Sequence, residues 1–292
     1  MAESAAPAGM WTPGQARGLL AIGAHRYLLA LLVRKELRVR YQASVLGLAW
    51  SYVKPGVQFL VFYFVMGSFL GLSRAISPFA VYLFSGMIAI NLATEILGNA
   101  TRSIVYNAPL VNKIFLPRQL FPVSSVFVAL VHFAPQVVIL VLGALASGWL
   151  PDLVGLAAFV VGVVIVLALS LGLGLLFAAV NVAYRDIENV VDLVLMVAVW
   201  FSPVLYAWTF VRDALVHHPW LVQLYLANPL TAAVELFHRA FWWGAATETD
   251  RVSGVVDHLW AHAGLALALS ALALVVGDRV FRRLSRTFAQ EL

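Results

Sequence analysis

The chain has 292 residues, of which 62% are hydrophobic and 11% are charged. Soluble domains are roughly 45–50% apolar and about 25% charged, so this composition excludes a soluble domain and predicts an all-α membrane protein with several spans. The sequence contains no cysteine, which excludes a disulfide framework and a thiolate metal site. Its net charge of +5 is distributed unevenly, and we interpret it as a determinant of topology rather than of nucleic-acid binding.

Residues 1–24 are predicted to form a cytosolic N-terminal tail. The beginning of this segment is rich in Ala, Pro and Gly and has no charged stretch leading into an apolar one. Because a cleaved signal peptide needs that combination, we do not expect one here.

An amphipathic interface helix is predicted at 25–48. Apolar residues recur at helical spacing from Leu29 to Leu37, and Glu36 precedes Arg40 by four residues, the favourable order for an ion pair. A basic helix of this kind lies in the plane of the membrane surface; the alternative is a helix packed on a protein core. The cations of this region are Arg34, Lys35, Arg38, Arg40 and Lys54.

Six membrane spans are predicted, because a span needs about 20 predominantly apolar residues. They form a domain at 49–278, which a basic cytosolic C-terminus at 279–292 follows. Fifteen of the nineteen Lys and Arg residues then lie on the side of the two termini, which places both termini in the cytosol. The predicted spans are 49–70, 79–98, 119–149, 152–180, 189–210 and 255–277.

The segment 211–254 is too long for a tight turn and too apolar for a free loop. Two short helices that re-enter the outer half of the membrane, broken at Asn228–Pro229, would satisfy their own backbone hydrogen bonds. A small soluble cap outside the membrane is the alternative.

The loop 107–118 combines apolar residues at helical spacing with single cations, between Pro109 and Pro117. A partly apolar cytosolic helix is exposed unless something covers it, so we predict a docking site for a partner. Packing on the protein's own interface helix is the alternative.

Two polar residues within predicted spans also need partners, because ionisable groups in a membrane are costly. Glu95 is expected to pair with Arg102 or with a cation of the interface helix, and His132 with a neighbouring helix. The sequence contains no G-x-x-x-x-G-K-[ST] motif, so another subunit or an ion gradient must power any active transport.

Five stretches, in this order on six predicted spans, resemble the permease subunits of ABC exporters for polysaccharides and polyol phosphates, the group that handles O-antigens, capsules and teichoic acids. They are RKELRVRY with SVLG at 34–47, NAPLVNKIFLPR at 107–118, NVAYRDI at 181–187, Tyr225 with NPL at 228–230 and Arg239, and FAQEL at 288–292.

The resemblance implies a homodimer with a channel between its two copies, flanked by two copies of a separate ATPase subunit in a bacterial cytoplasmic membrane. ATP and Mg²⁺ would bind to that partner, so this chain would hold no cofactor and would not itself be an enzyme. The loop at 107–118 would be the coupling helix that sits in a groove of the ATPase. Its expected coupling residues are Asn107, Leu110, Lys113, Phe115 and Arg118.

The implied substrate is a glycan on a polyprenyl diphosphate, such as O-antigen or cell-wall galactan. The cations of the interface region would attract its pyrophosphate, and flat aromatic side chains of the first span would stack on its sugar rings, unless they only pack between helices. These aromatic residues are Phe59, Phe62, Tyr63 and Phe69. The residues of the outer gate would be Tyr225, Asn228 and Pro229.

Two other classes of protein remain as alternatives. A membrane-embedded glycosyl- or acyltransferase needs a convergent catalytic set, and only Asp257 with His258, or Asp186 with Glu188, comes close. An ion-coupled transporter needs paired ionisable groups in the middle of the membrane, where this sequence has little beyond His132.

Overall fold

The computed structural model describes residues 18–113 and 116–291, and within them every regular element is a helix. Short 3₁₀ segments lie at Leu19–His25 and Gly47–Ala49, and π-helical turns lie at Tyr63–Phe69 and His238–Trp242. The α-helices are α1 (Arg26–Tyr41), α2 (Trp50–Phe62), α3 (Leu72–Ala75), α4 (Phe79–Tyr106), α5 (Ala108–Lys113), α6 (Leu120–Ala146), α7 (Leu153–Ala183), α8 (Ile187–Ala198), α9 (Trp208–Ala214), α10 (Pro219–Leu226), α11 (Pro229–Phe237), α12 (Glu248–Gly254), α13 (Leu259–Leu284) and α14 (Phe288–Glu291).

Four helices of the described chain, α4, α6, α7 and α13, are long and apolar enough to cross a membrane. They correspond to the second, third, fourth and sixth predicted spans. The first predicted span begins with α2, which continues without a break into the π-helical turns at Tyr63–Phe69. The fifth begins with α8 and leaves the helix in turns after Ala198. The number of six spans therefore remains a prediction.

The interface helix is shorter than the predicted 25–48, because α1 ends at Tyr41. Two residues later Ala43 has a φ of 59°, which a right-handed helix does not allow. The buried residues of α1, Leu29 and Leu32, pack in a cluster with residues of α4, α6 and α7. Part of the apolar side of α1 thus packs on the protein, while Leu31 and Val39 of the same helix are exposed. Its position at a membrane surface remains a prediction.

Helix α7 is the centre of the described fold, since α4, α11 and α13 all pack against it. Its closest neighbour is α13, which crosses it at two glycines. A Cβ atom on Gly277 would collide with the carbonyl oxygen of Gly172, and one on Gly172 would collide with the backbone of Ala273. Small residues let helices approach closely in membranes, where packing rather than hydrophobic burial drives their association.

The segment 211–254, which we call the outer segment after its predicted position, contains short helices, of which α11 packs on this core. Helix α10 ends at Leu226 and α11 begins at Pro229, so the predicted break at Asn228–Pro229 is present. Every residue from Thr231 to Phe237 is buried, against α4, α7 and α13.

The close crossing predicts that replacing Gly277 by Ala will destabilise the protein by about 1–3 kcal/mol, because the methyl group forces α7 and α13 apart. Replacing Gly277 by Val should cost more. Thermal unfolding in detergent or nanodiscs measures both. Gly264 on the same helix is the matched control, since a Cβ there meets no atom within 4 Å. An equal loss of stability in Gly264→Ala and Gly277→Ala would contradict the role of the crossing.

Candidate functional site

The interface helix is joined to the spans by a chain of polar contacts. Arg40 Nη1 lies 2.7 Å from Glu95 Oε1, and His132 Nδ1 lies 2.6 Å from the same oxygen. The other ring nitrogen of His132, Nε2, is 2.8 Å from the hydroxyl oxygen of Tyr41. With Glu95 ionised, as in its ion pair with Arg40, the assigned tautomer of His132 has Nδ1 donating to the carboxylate. The predicted pairing of Glu95 with a cation of the interface helix is confirmed, and so is the contact of His132 with another helix.

The predicted ion pair between Glu36 and Arg40 is wrong. Arg40 instead binds Glu95, and the carboxylate of Glu36 accepts a hydrogen bond of 3.0 Å from the hydroxyl of Ser124 on α6. Burial raises the pKa of Glu36, while the Ser124 hydrogen bond and the nearby charges of Arg40 and Lys35 oppose that rise. The packing of α1 on the protein thus overrides the local i, i+4 geometry.

The five predicted cations fall into two groups. Lys35 donates to Asn107 Oδ1 and Arg40 binds Glu95, so these two hold α1 against α4. All five side chains are exposed, but no hydrogen bond or ion pair within the described residues engages the other three, Arg34, Arg38 and Lys54. These three cations are therefore the part of the set that is open to a ligand.

The predicted coupling segment is anchored at both ends. Asn107, which is buried, donates from Nδ2 to the carbonyl oxygen of Ser103 at 2.8 Å and accepts from Lys35. Leu110 packs partly buried against the same cluster as α1. Arg118 donates to the carbonyl oxygen of Ser285, and its guanidinium group lies 5.5 Å from the ring centroid of Phe288. Of the remaining predicted residues, Phe115 and the side chain of Lys113 lie outside the described part of the chain.

A second set of ion pairs ties α4 to the start of α8. The guanidinium of Arg102 binds Asp192 and lies 3.2 Å from Glu188, whose other oxygen accepts from Asn181 at 3.0 Å. Arg102 is therefore not the partner of Glu95. These contacts fix the C-terminal ends of α4 and α7 and the start of α8 relative to one another.

The predicted aromatic stripe packs largely on the protein itself. Phe59 lies 5.3 Å from Phe84 between ring centroids, Tyr63 lies 6.1 Å from Phe79, and Phe62 is partly buried against the same core. Phe69, in contrast, is 80% exposed. Within one copy of the chain, Phe59 and Tyr63 fit the helix-packing alternative, and Phe69 is open to a ligand or to another copy.

The predicted gate residues have a clear structural role. The side chain of Asn228 accepts from the backbone N–H of Leu230 at 3.1 Å and so caps α11, and Pro229 occupies its first turn. Tyr225, on α10, is partly buried against Trp208 and Val222. All three lie at the start of the buried helix α11 or on the helix before it.

The most deeply buried ionisable pair of the described chain was not predicted from the sequence. Glu235 and His238 are 1% and 0% exposed, and His238 Nδ1 lies 3.5 Å from Glu235 Oε1. The ring of His238 stacks on that of Tyr82 with centroids 3.8 Å apart. A glutamate and a histidine three residues apart in an apolar stretch is the pattern that could have revealed this pair.

Comparison with known proteins identifies the class. Residues 27–242 match the family model described as ABC-2 type transporter, and the chain belongs to this family. Among the described residues, no three His, Asp or Glu side chains form a group that could hold a metal ion.

Three relatives show how far the similarity extends. The chain is 25% identical over 268 residues to the O-antigen export system permease protein RfbA of Klebsiella pneumoniae, covering 91% of this chain and 95% of the relative. It is 26% identical over 272 residues to the protein of the same name from Myxococcus xanthus, covering 92% and 96%. The polysialic acid transport protein KpsM of Escherichia coli is 22% identical over 222 residues, covering 74% and 82%.

The raised pKa of Glu36 predicts that Glu36→Gln will make the protein more stable than the wild type at neutral and alkaline pH. The folded protein binds the Glu36 proton more tightly than the unfolded chain does, so the wild type loses stability as pH rises through the folded pKa. The amide introduced by this substitution has no proton to lose and can still accept from Ser124. The difference in unfolding temperature should vanish below about pH 4.3, where an ordinary glutamate is protonated, and grow above it.

Ser124→Ala is the matched control for this measurement. It removes a hydrogen bond that favours the ionised carboxylate and should cost about 1 kcal/mol where Glu36 is ionised. The group that titrates is still present, so the loss of stability with rising pH should persist in this variant and become steeper. A wild type and a Glu36→Gln variant with parallel pH profiles would contradict the buried environment of Glu36.

Proposed function

We propose that this chain is the membrane subunit of an ATP-driven exporter that moves a lipid-linked polysaccharide across the bacterial cytoplasmic membrane. The observation that carries the proposal is the similarity to permeases of O-antigen export over more than nine-tenths of both chains. The absence of a phosphate-binding loop in the sequence supports it, because ATP hydrolysis then belongs to a separate partner subunit.

In this proposal the chain crosses the membrane six times, with both termini in the cytosol. The four long helices supply four spans, the continuous run from α2 through Tyr63–Phe69 supplies the first, and α8 with the following turns supplies the fifth. Helices α10 and α11 re-enter from the outer side, which the buried position of α11 supports. Two copies of the chain form the channel between them.

The cytosolic segment 107–118 transmits the movement of the two ATPase subunits, which bind ATP and Mg²⁺. Its anchors support this role, since Asn107 connects it to α1 and Arg118 connects it to the C-terminal end of the chain. A movement of this short segment is therefore transmitted to the interface helix through side-chain contacts rather than through flexible backbone. From α1 the contacts of Arg40 and Tyr41 lead on to Glu95 and His132 inside the spans.

The substrate is a glycan on a polyprenyl diphosphate. Its pyrophosphate is anionic, and the exposed cations Arg34, Arg38 and Lys54 provide a positive field at the cytosolic surface of the interface region. The exposed ring of Phe69 offers a flat surface on which sugar rings stack without a fixed register. A polymer that slides through a channel needs contacts of this adaptable kind.

The first test is ATPase activity of the chain in lipid nanodiscs, alone and together with the ATPase subunit encoded beside its gene. We expect activity in the complex and none from the chain alone. Lys113→Glu places a negative charge on the coupling segment and should weaken retention of the ATPase by about tenfold, equivalent to roughly 1.4 kcal/mol.

Arg74→Glu is the control, because it makes the same change of charge at an exposed residue that the proposed topology places outside the membrane. It should leave retention of the ATPase unchanged. A chain that never retains an ATPase, and that transports or modifies a lipid-linked sugar by itself, would overturn the proposal.

A further inference from the structure

Glu235 and His238 form an ionisable pair sealed inside the protein. Glu235 lies on α11 and His238 begins the π-helical turns that follow it, one turn later on the same face. Neither oxygen of Glu235 and neither ring nitrogen of His238 has a hydrogen-bond partner within the described residues. At 3.5 Å, the closest atoms of the two side chains are near enough to share a proton after a small movement.

The side chains around this pair do not neutralise it. Tyr82 of α4 stacks on His238, but its hydroxyl donates to the carbonyl oxygens of Pro203 and Tyr206, at 3.1 and 2.9 Å. Tyr225 of α10 interacts electrostatically with Glu235 and Tyr206, but a phenol carries no charge at neutral pH.

The other helices packed on α11 add no charge within the described residues. Helix α7 meets it at Gly162, against which Phe237 lies. Helix α6 presents Phe133 to Phe237. Helix α13 also packs on α11, and its buried residues, such as Ala263, Ala266 and Ser270, do not titrate, while its titratable His262 is partly exposed. The nearest cation in sequence, Arg239, binds Asp152 at 2.8 Å and stacks on Trp243.

A buried charge without a partner is expensive, so the pair is stable only when its net charge is zero. One proton achieves this, either as a carboxylic acid beside a neutral imidazole or as a carboxylate beside an imidazolium. A second proton would leave a net charge of +1, and the loss of the first would leave −1. Each of these changes would place an uncompensated charge between α11 and α4.

We propose that Glu235 and His238 form a proton-binding site that holds one shared proton and thereby keeps α11 packed against α4. The ligand is a proton, and the site lies in the outer segment, on the helix that Asn228 and Pro229 begin. The proposal rests on the buried pair alone, so it stands or falls independently of the transported substrate.

The proposal fixes how stability depends on pH. In the unfolded chain the glutamate releases its proton near about pH 4.3 and the histidine near about pH 6.5. Between these values the unfolded pair also holds one proton, and above them it holds none. The wild type should therefore be insensitive to pH in this window and lose stability above it, as far as these two residues determine it.

The two amide variants should deviate from the wild type in opposite directions. In Glu235→Gln the buried histidine is neutral in the folded state, whereas the unfolded chain takes up a proton as pH falls. The stability of this variant relative to the wild type is therefore lowest at acid pH. In His238→Gln the buried carboxyl keeps its proton in the folded state, whereas the unfolded chain loses that proton as pH rises. The stability of this variant relative to the wild type is therefore lowest at higher pH.

The experiment is thermal unfolding of the full chain in nanodiscs between about pH 5 and about pH 8, with each variant compared with the wild type at every pH. We expect the unfolding temperature of Glu235→Gln relative to the wild type to rise with pH throughout. That of His238→Gln should fall with pH up to about pH 6.5 and then run parallel. Glu248→Gln, an exposed glutamate on α12, is the matched control and should show no slope.

The proposal would be overturned if, for both variants, the unfolding temperature relative to the wild type did not change with pH. The two groups would then titrate alike in the folded and unfolded states. If a single variant does not fold, the double variant Glu235→Gln/His238→Gln replaces it. Its unfolding temperature relative to the wild type should rise above about pH 6.5, where the wild type alone loses a proton on unfolding. A flat difference for the double variant would overturn the proposal as well.

Discussion

The close approach of α7 and α13 at Gly172 and Gly277 determines where the other helices of the described chain can lie. In a lipid environment apolar side chains gain little by leaving the solvent, so two helices associate where their backbones can come into contact. At this crossing the backbones are so close that neither glycine has space for a methyl group. Helix α7 then presents its other sides to α4 and to α11. The inner helices are therefore held by shape, and polar contacts are left for the ends of the molecule.

At one end of the molecule polar contacts hold both ends of the segment at 107–118 and lead on to α1 and the spans. The path of these contacts begins at Arg118, which the C-terminal residues Ser285 and Phe288 hold, and Asn107 at the other end of the same segment meets Lys35 of α1. From α1 the path enters the spans through Arg40 and Glu95. Such contacts are strong only where water is partly excluded, and they have two discrete arrangements, formed or broken. A partner that moves the segment at 107–118 would therefore act on α1 and on the spans together.

The sequence predicts much of this fold because hydropathy and charge asymmetry are direct consequences of the membrane. Four of the predicted spans coincide with long apolar helices, and Asn228–Pro229 breaks the outer segment where the loss of a backbone donor predicts it. The sequence misleads where tertiary contacts compete with local ones. Glu36 and Arg40 have ideal spacing for an ion pair, but each finds a better partner on another helix. Whether an aromatic residue such as Phe59 faces a channel or another helix depends on packing, which periodicity alone does not reveal.

Glu235 and His238 show most clearly what cannot be predicted from the sequence. Neither belongs to a motif, and the outer segment around them is so apolar that its hydrophobicity hides them. Their importance follows from burial, because two ionisable groups with unsatisfied polar atoms remain in a fold only if their charges cancel. The site is placed on α11, which packs on α7, α13 and α4. A change of one proton at this position would therefore act first on the contacts that hold α11 to these three helices.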